Sequence, residues 1–298
     1  MTQTQATLTG GIAIALWSVL ALLTVATAPV PPFLLCALSF AVAGVVGLGW
    51  IAAGPGFSVL SGVPLRAYLI GTAGLFGFHA FYFSALRLAP PAEAGLISYL
   101  WPLFIVLGSG LLPGERLRAA HVAGAALGFA GAALILGGRM GAGAGPQVLM
   151  GYGLAFLCAL TWAGYSLASR RLAGVPTAAV AVNCLATAAL AALVHLAVET
   201  PAWPASPLGW LAVLGLGLGP VGIAFFAWDA GVKRGNIQLL GTLSYAAPLL
   251  STLWLVLAGR AEASPVLLLA AMLITLGAGL AAAGGRSRRE RPAVRRGP

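Results

Sequence analysis

The sequence predicts an all-α integral membrane protein: ten transmembrane helices in two inverted five-helix repeats, with both termini cytoplasmic. Three observations carry that fold class. Hydrophobic residues are 60% of the 298 and charged residues only 7%, against about 25% charged in an ordinary soluble domain, so most of the surface must face lipid. Apolar runs of spanning length, about 20 residues for a helix, follow one another with short separators. Finally, Ser98-Tyr99-Leu100-Trp101-Pro102 returns as Ser244-Tyr245-Ala246-Ala247-Pro248, a shift of 146 residues. One unit is used twice.

In chain order the spans are expected at roughly 8–27, 31–52, 66–88, 91–112 and 118–137, then 148–170, 175–198, 208–232, 236–258 and 264–284. The separators hold the breakers Pro29, Pro31-Pro32, Gly54-Pro55-Gly56, Pro90-Pro91, Pro113-Gly114, Pro201 and Pro204. Runs this long without two-residue alternation are helices, not barrel strands. The first span lacks a basic region before it and a clear cleavage site, so it reads as a retained helix. Cys36, Cys158 and Cys184 lie within spans without metal-ligand spacing and read as apolar packing.

Charge sets the orientation. With the N-terminus inside, the inner loops and tail hold 13 of the 16 basic residues, and only Arg87, Arg139 and Arg260 are outside. Basic residues favour the cytoplasmic face. Arg286, Arg288, Arg289, Arg291, Arg295 and Arg296 make residues 286–298 a disordered basic tail that anionic lipid would attract. The net charge of +10 is explained by that tail, and no nucleic-acid module accompanies it.

Residues 1–140 form the first repeat and 141–285 the second, joined by a glycine-rich stretch with Gly141, Gly143 and Gly145. Five spans per copy is an odd number, so the second copy enters the membrane from the opposite side. Inverted repeats of this kind are characteristic of secondary transporters, with the substrate near the midplane between the halves.

Ten spans in two halves, Trp17-Ser18 and Trp162-Ala163 in the first helix of each, and Gly114-Glu115 after the fourth span resemble the drug/metabolite transporter superfamily, EamA type. The resemblance covers about residues 8–284. In overall pattern and aromatic placement the chain is most similar to bacterial aromatic amino-acid exporters. That resemblance implies a multi-pass protein of the bacterial inner membrane, exporting aromatic or other large apolar amino acids by alternating access, without a cofactor. One departure stands out: the second half reads Gly259-Arg260-Ala261-Glu262, without adjacent glycine and glutamate.

Candidate site residues are the unusual side chains at mid-span. They are Trp17, His79, Tyr82, Tyr99, Trp101, Trp162, Tyr165, Ser244 and Tyr245. Helical spacing puts His79, Tyr82 and Phe83 on one face, Gly95, Ser98, Tyr99 and Pro102 on another, and Gly241, Ser244, Tyr245 and Pro248 on a third. Interfacial tryptophans are ordinary anchors, which fits Trp50, Trp203, Trp210 and Trp254. Central indoles and phenols need hydrogen-bond partners, and their grouping points to a cavity with more aromatic surface from the first half. An ionisable His79 at bilayer depth is the sharpest candidate, whereas His121 and His195 read as structural. Pro102 and Pro248 are expected to bend their helices and free a carbonyl, and Gly217, Gly219 and Pro220 to bend span eight.

Of the six acidic residues all but Asp229 read as near a membrane boundary or outside the spans; Asp229 is near the inner end of span eight, four residues before Lys233, where an ion pair is expected. Without a midplane carboxylate, facilitated diffusion is favoured over tight proton coupling, and His79 keeps coupling open. Export of drugs or other small metabolites is the alternative reading. An intramembrane enzyme would need a nucleophile with its base or a metal cluster, and neither spacing is present. A channel would need a ring of charges or filter loops.

Overall fold

Proline at the first helical position costs nothing, because that N–H has no intrahelical partner, and among the described residues five helices begin this way, the last of them at Pro265. Pro32 starts α3 (Pro32–Ala53), Pro91 starts α5 (Pro91–Ser98), and Pro146 and Pro207 open α8 (Pro146–Ser169) and α10 (Pro207–Leu218). The computed structural model describes residues 2–109, 119–141, 144–169, 172, 174–234, 244 and 246–286. The remaining helices are α1 (Gln3–Ser18), α2 (Leu20–Ala26), α4 (Leu65–Leu88), α6 (Trp101–Ser109), α7 (Ala119–Gly141), α9 (Ala179–Val198), α11 (Ala224–Arg234), α12 (Ala246–Leu257) and α13 (Pro265–Arg286). Among the described residues there is no strand. Among the described residues six stretches are long and apolar enough to cross a bilayer, the longest Pro207–Gly231, and Ala119–Ile135, Ala246–Leu257 and Pro265–Leu280 are shorter apolar helices.

The observed helices follow the order of the expected spans and agree near those ends that are described; the expected end of the fourth span at 112 and start of the ninth at 236 lie outside the described residues. The differences are breaks within spans. The first span is divided at Val19 and the fourth at Tyr99-Leu100. The eighth contains a wide π turn, Gly219–Ile223, between α10 and α11. Pro102 accounts for the second break: it has no N–H to offer the carbonyl of Ser98. Leu100 turns back to Ile97 instead, and the helix resumes when Phe104 bonds Leu100.

Long apolar side chains such as Leu193, Leu196, Leu211 and Leu276 point outward, while among the described residues alanine is the commonest buried residue and glycines such as Gly44, Gly47 and Gly277 sit where helices touch. Small residues allow backbones to approach in lipid, where burying apolar surface brings no gain over the acyl chains. Gly277 shows the closeness: a Cβ there would lie 2.5 Å from the Gly124 carbonyl oxygen. The main pairings are α7 with α13, α3 with α9, α4 with α8, and α1 with α11, and α5 meets α12.

Polar side chains lock the ends. The Glu199 carboxylate, after α9, accepts from the first-turn amides of α3, Phe33 N at 2.9 Å and Leu34 N at 3.0 Å. His195 Nδ1 lies 2.8 Å from the same carboxylate, so this histidine has polar company. A carboxylate on helix N-terminal amides is a charge-assisted cap. Glu199→Ala is therefore expected to lower stability by about 2 kcal/mol, seen as a fall in Tm in detergent. An unchanged Tm would mean the cap contributes nothing. Arg87 is spent similarly, donating to the Thr27 hydroxyl and the Val30 carbonyl. Asp229 accepts from the Thr177 hydroxyl, and the Lys233 side chain expected to pair with it lies outside the described residues.

Candidate functional site

The three interrupted spans meet at Trp17. Its indole Nε1 donates to the carbonyl of Pro220 in the π turn, at 3.1 Å. Its own carbonyl, next to the break between α1 and α2, accepts from the Tyr99 hydroxyl at 3.3 Å. Interrupted helices expose carbonyls that side chains can bond, and here two such carbonyls are used. At the next residue, Trp254 Nε1 reaches the Ser18 hydroxyl at 3.1 Å, so this tryptophan does more than anchor a membrane interface.

A cavity of about 580 Å³, counting its open mouth, lies beside Trp17. From the first half its wall takes Ile14, Trp17 and Leu20, then Phe78, His79 and Tyr82 of α4, and Ser98, Tyr99 and Trp101 around the fourth-span break. The second half adds Trp162 of α8, Phe225 of α11, and Ser244 and Ala247. Among the described residues the aromatic rings therefore come mainly from the first half. Most pack edge to face or tilted: Trp17 and Trp101 lie 6.3 and 6.5 Å from Trp162, and Phe225 lies 6.0 Å from Trp17, whereas Phe78 and Tyr82 stack at 5.8 Å.

Seven of the nine expected site residues are on this wall. Tyr165 is not. It shares a helical face with Trp162, their rings 5.3 Å apart, but Gly74 leaves a hollow on α4 and the phenol ring fills it. Tyr165 thus supports Trp162 from behind. Tyr245 lies outside the described residues. Pro102 lies within the first turn of α6, and Pro248 is buried in the first turn of α12, where its carbonyl accepts from Thr252.

His79 is 1% exposed, and four aromatic rings surround it, Phe40, Phe78, Phe83 and Phe225, at 4.7 to 5.9 Å. Its Nδ1 lies 2.9 Å from the Leu75 carbonyl oxygen. A carbonyl can only accept, so Nδ1 carries the proton, and in the neutral imidazole Nε2 is left an acceptor. Phe78 and Phe225 were not expected from the sequence. Phe78 precedes the conspicuous His79, and Phe225 follows the Pro220 bend, so proximity to flagged residues was the available signal.

A model of the EamA-like transporter family matches residues 5–137 and again residues 149–283. The chain belongs to the EamA-like transporter family. It is 57% identical over 283 residues to an aromatic amino acid exporter, YddG, of Ancylobacter novellus, covering 94% of this chain and 98% of that protein. The exporter of the same name from Salmonella typhimurium is 29% identical over 265 residues, or 85% and 88% of the two chains. A crystal structure at 56% identity, covering 96% of this chain and all of that one, superposes with a TM-score of 0.76. This EamA-like transporter is thus a multi-pass membrane protein, and its cavity lies where the two family matches face each other.

Proposed function

We propose that the chain exports aromatic amino acids by alternating access, with the Trp17–His79–Trp162 cavity as the substrate site. The observation that carries this is the wall itself, drawn from both halves: flat aromatic faces for an indole or phenyl side chain, and His79 Nε2 as an acceptor for an ammonium group. The exporters at 57% and 29% identity supply the substrate class. Drugs or other small metabolites are the alternative cargo.

The proposed architecture is ten spans in two inverted repeats, 1–140 and 141–285, with both termini cytoplasmic. Two observations support it. The family model matches each half separately. The helix pairings also have the required symmetry: a two-fold axis exchanging spans one to five with six to ten maps the α4–α8 contact onto α11–α1. It leaves α3–α9, α5–α12 and α7–α13 as self-related pairs. Basic residues orient the assembly, and the basic tail would lie against anionic lipid. The residues named on the cavity wall include no carboxylate, which favours facilitated diffusion. Efflux of labelled phenylalanine, tyrosine and tryptophan from proteoliposomes, with and without a pH gradient, tests the reading. Saturable flux insensitive to the gradient is expected; no flux of any of the three overturns it.

A further inference from the structure

A second, larger cavity lies at the opposite end of α5 from Ser98. It encloses about 1480 Å³ with its open mouth and is lined by residues 90–93, Ile135, the Gly259–Glu262 turn, and Ser264, Val266 and Leu267. The start of α5 and the end of α12 border it, and the other ends of these helices supply Ser98 and Ala247 to the central cavity. Glu93 and Ser98 are five residues apart, about 7.5 Å along a helix. Ala94, Leu96 and Ile97, all buried, close the gap.

The turn from α12 to α13 holds two opposite charges on fixed backbone. Gly259 has φ +64°, its amide bonds the Val256 carbonyl at 3.0 Å, and the Arg260 amide bonds Leu255 at 2.8 Å. That is a helix C-cap requiring the left-handed conformation glycine tolerates. On the other side Ser264 N bonds the Glu262 carbonyl at 2.9 Å, and the Ser264 hydroxyl accepts the Leu267 amide, capping α13. Arg260 and Glu262 are both exposed, and neither forms an ion pair among the described residues. Glu93, across the cavity, already accepts the Tyr152 hydroxyl. This turn is also where the second half departs from the Gly-Glu pattern of the first.

We propose that this cavity is a second binding site, for the head group of a zwitterionic amino acid. Arg260 takes the carboxylate, Glu262 the ammonium, and Ile135, Val266 and Leu267 the apolar side chain. The site rests on the exporter reading, under which it is the outer vestibule that released substrate enters. Because backbone caps on both sides fix the turn, ordering on binding is confined to the two charged side chains.

Equilibrium binding of labelled phenylalanine to the purified full chain tests this. The wild type is expected to bind two equivalents, and Arg260→Gln and Glu262→Gln one each with unchanged Tm. His79→Ala is expected to lose the other equivalent and keep the one that depends on Arg260. Phenylalanine amide, which lacks the carboxylate, should lose the Arg260-dependent equivalent in the wild type. A single equivalent in the wild type, or two retained in both charge variants, overturns the second site and leaves the exporter reading intact. No binding of any aromatic amino acid overturns that reading, and the ligand class of the vestibule with it.

Discussion

His79→Ala is expected to cut aromatic amino-acid flux by about thirtyfold while the protein remains folded. The reason is the position of its two ring nitrogens. Nδ1 is committed to the Leu75 carbonyl at 2.9 Å, which leaves Nε2 as the acceptor of a residue on a wall otherwise made of aromatic rings, hydroxyls and the aliphatic Ile14, Leu20 and Ala247. A hydrogen bond to a charged group contributes about 2 kcal/mol, and 1.4 kcal/mol is tenfold. Alanine removes that acceptor and leaves a hollow among Phe40, Phe78, Phe83 and Phe225. His79→Gln is expected to recover part of the flux, since its amide can donate to Leu75 and still present an oxygen. His79→Phe is expected to fill the hollow without restoring transport. Flux measured beside Tm separates the roles: a phenylalanine variant as active as wild type would make His79 a packing residue only.

Much of this architecture could be read from composition and repetition. The order and approximate position of the described helices followed from the lengths of the apolar runs, because a bilayer sets the length of apolar chain that crosses it. The membership of the cavity was also largely legible, since aromatic side chains at bilayer depth have few alternatives to packing or lining a site. Where the spans break was less so. Pro102 pointed to the interruption at Tyr99, but nothing local marks Val19, where helix α1 stops without a proline. Tyr165 illustrates a further limit. Its spacing from Trp162 is right for the cavity wall, yet the hollow that draws its ring away is made by Gly74 on another helix. Long-range pairings such as Glu199 with the start of α3 are likewise invisible to any pattern along the chain, because they join residues more than 160 positions apart.

Gly222→Ala is expected to be strongly damaging, because among the described glycines it has the shortest Cβ approach to backbone. In the wide turn Gly219–Ile223, a Cβ at position 222 would lie 2.2 Å from the Gly217 carbonyl oxygen. Backbone, not a flexible side chain, stands in the way, so the turn itself must change. The natural escape is regular α-helix, which has no room for the extra residue of a π turn. Dropping one residue from the turn rotates everything after it by about 100°. Phe225 would leave the cavity wall, and the Pro220 carbonyl would leave the Trp17 indole N–H. A stability loss of about 1–3 kcal/mol for forced overpacking is expected with a fall in flux of at least about tenfold, since the displaced groups belong to the site. Gly215→Ala is the matching control in the same span. Its Cβ would meet only Leu23, at 3.6 Å, and alanine favours helix over glycine by about 1 kcal/mol, so Tm is expected to hold or rise with flux unchanged. Equal behaviour of the two variants, in both Tm and flux, would show that transport does not depend on the π turn.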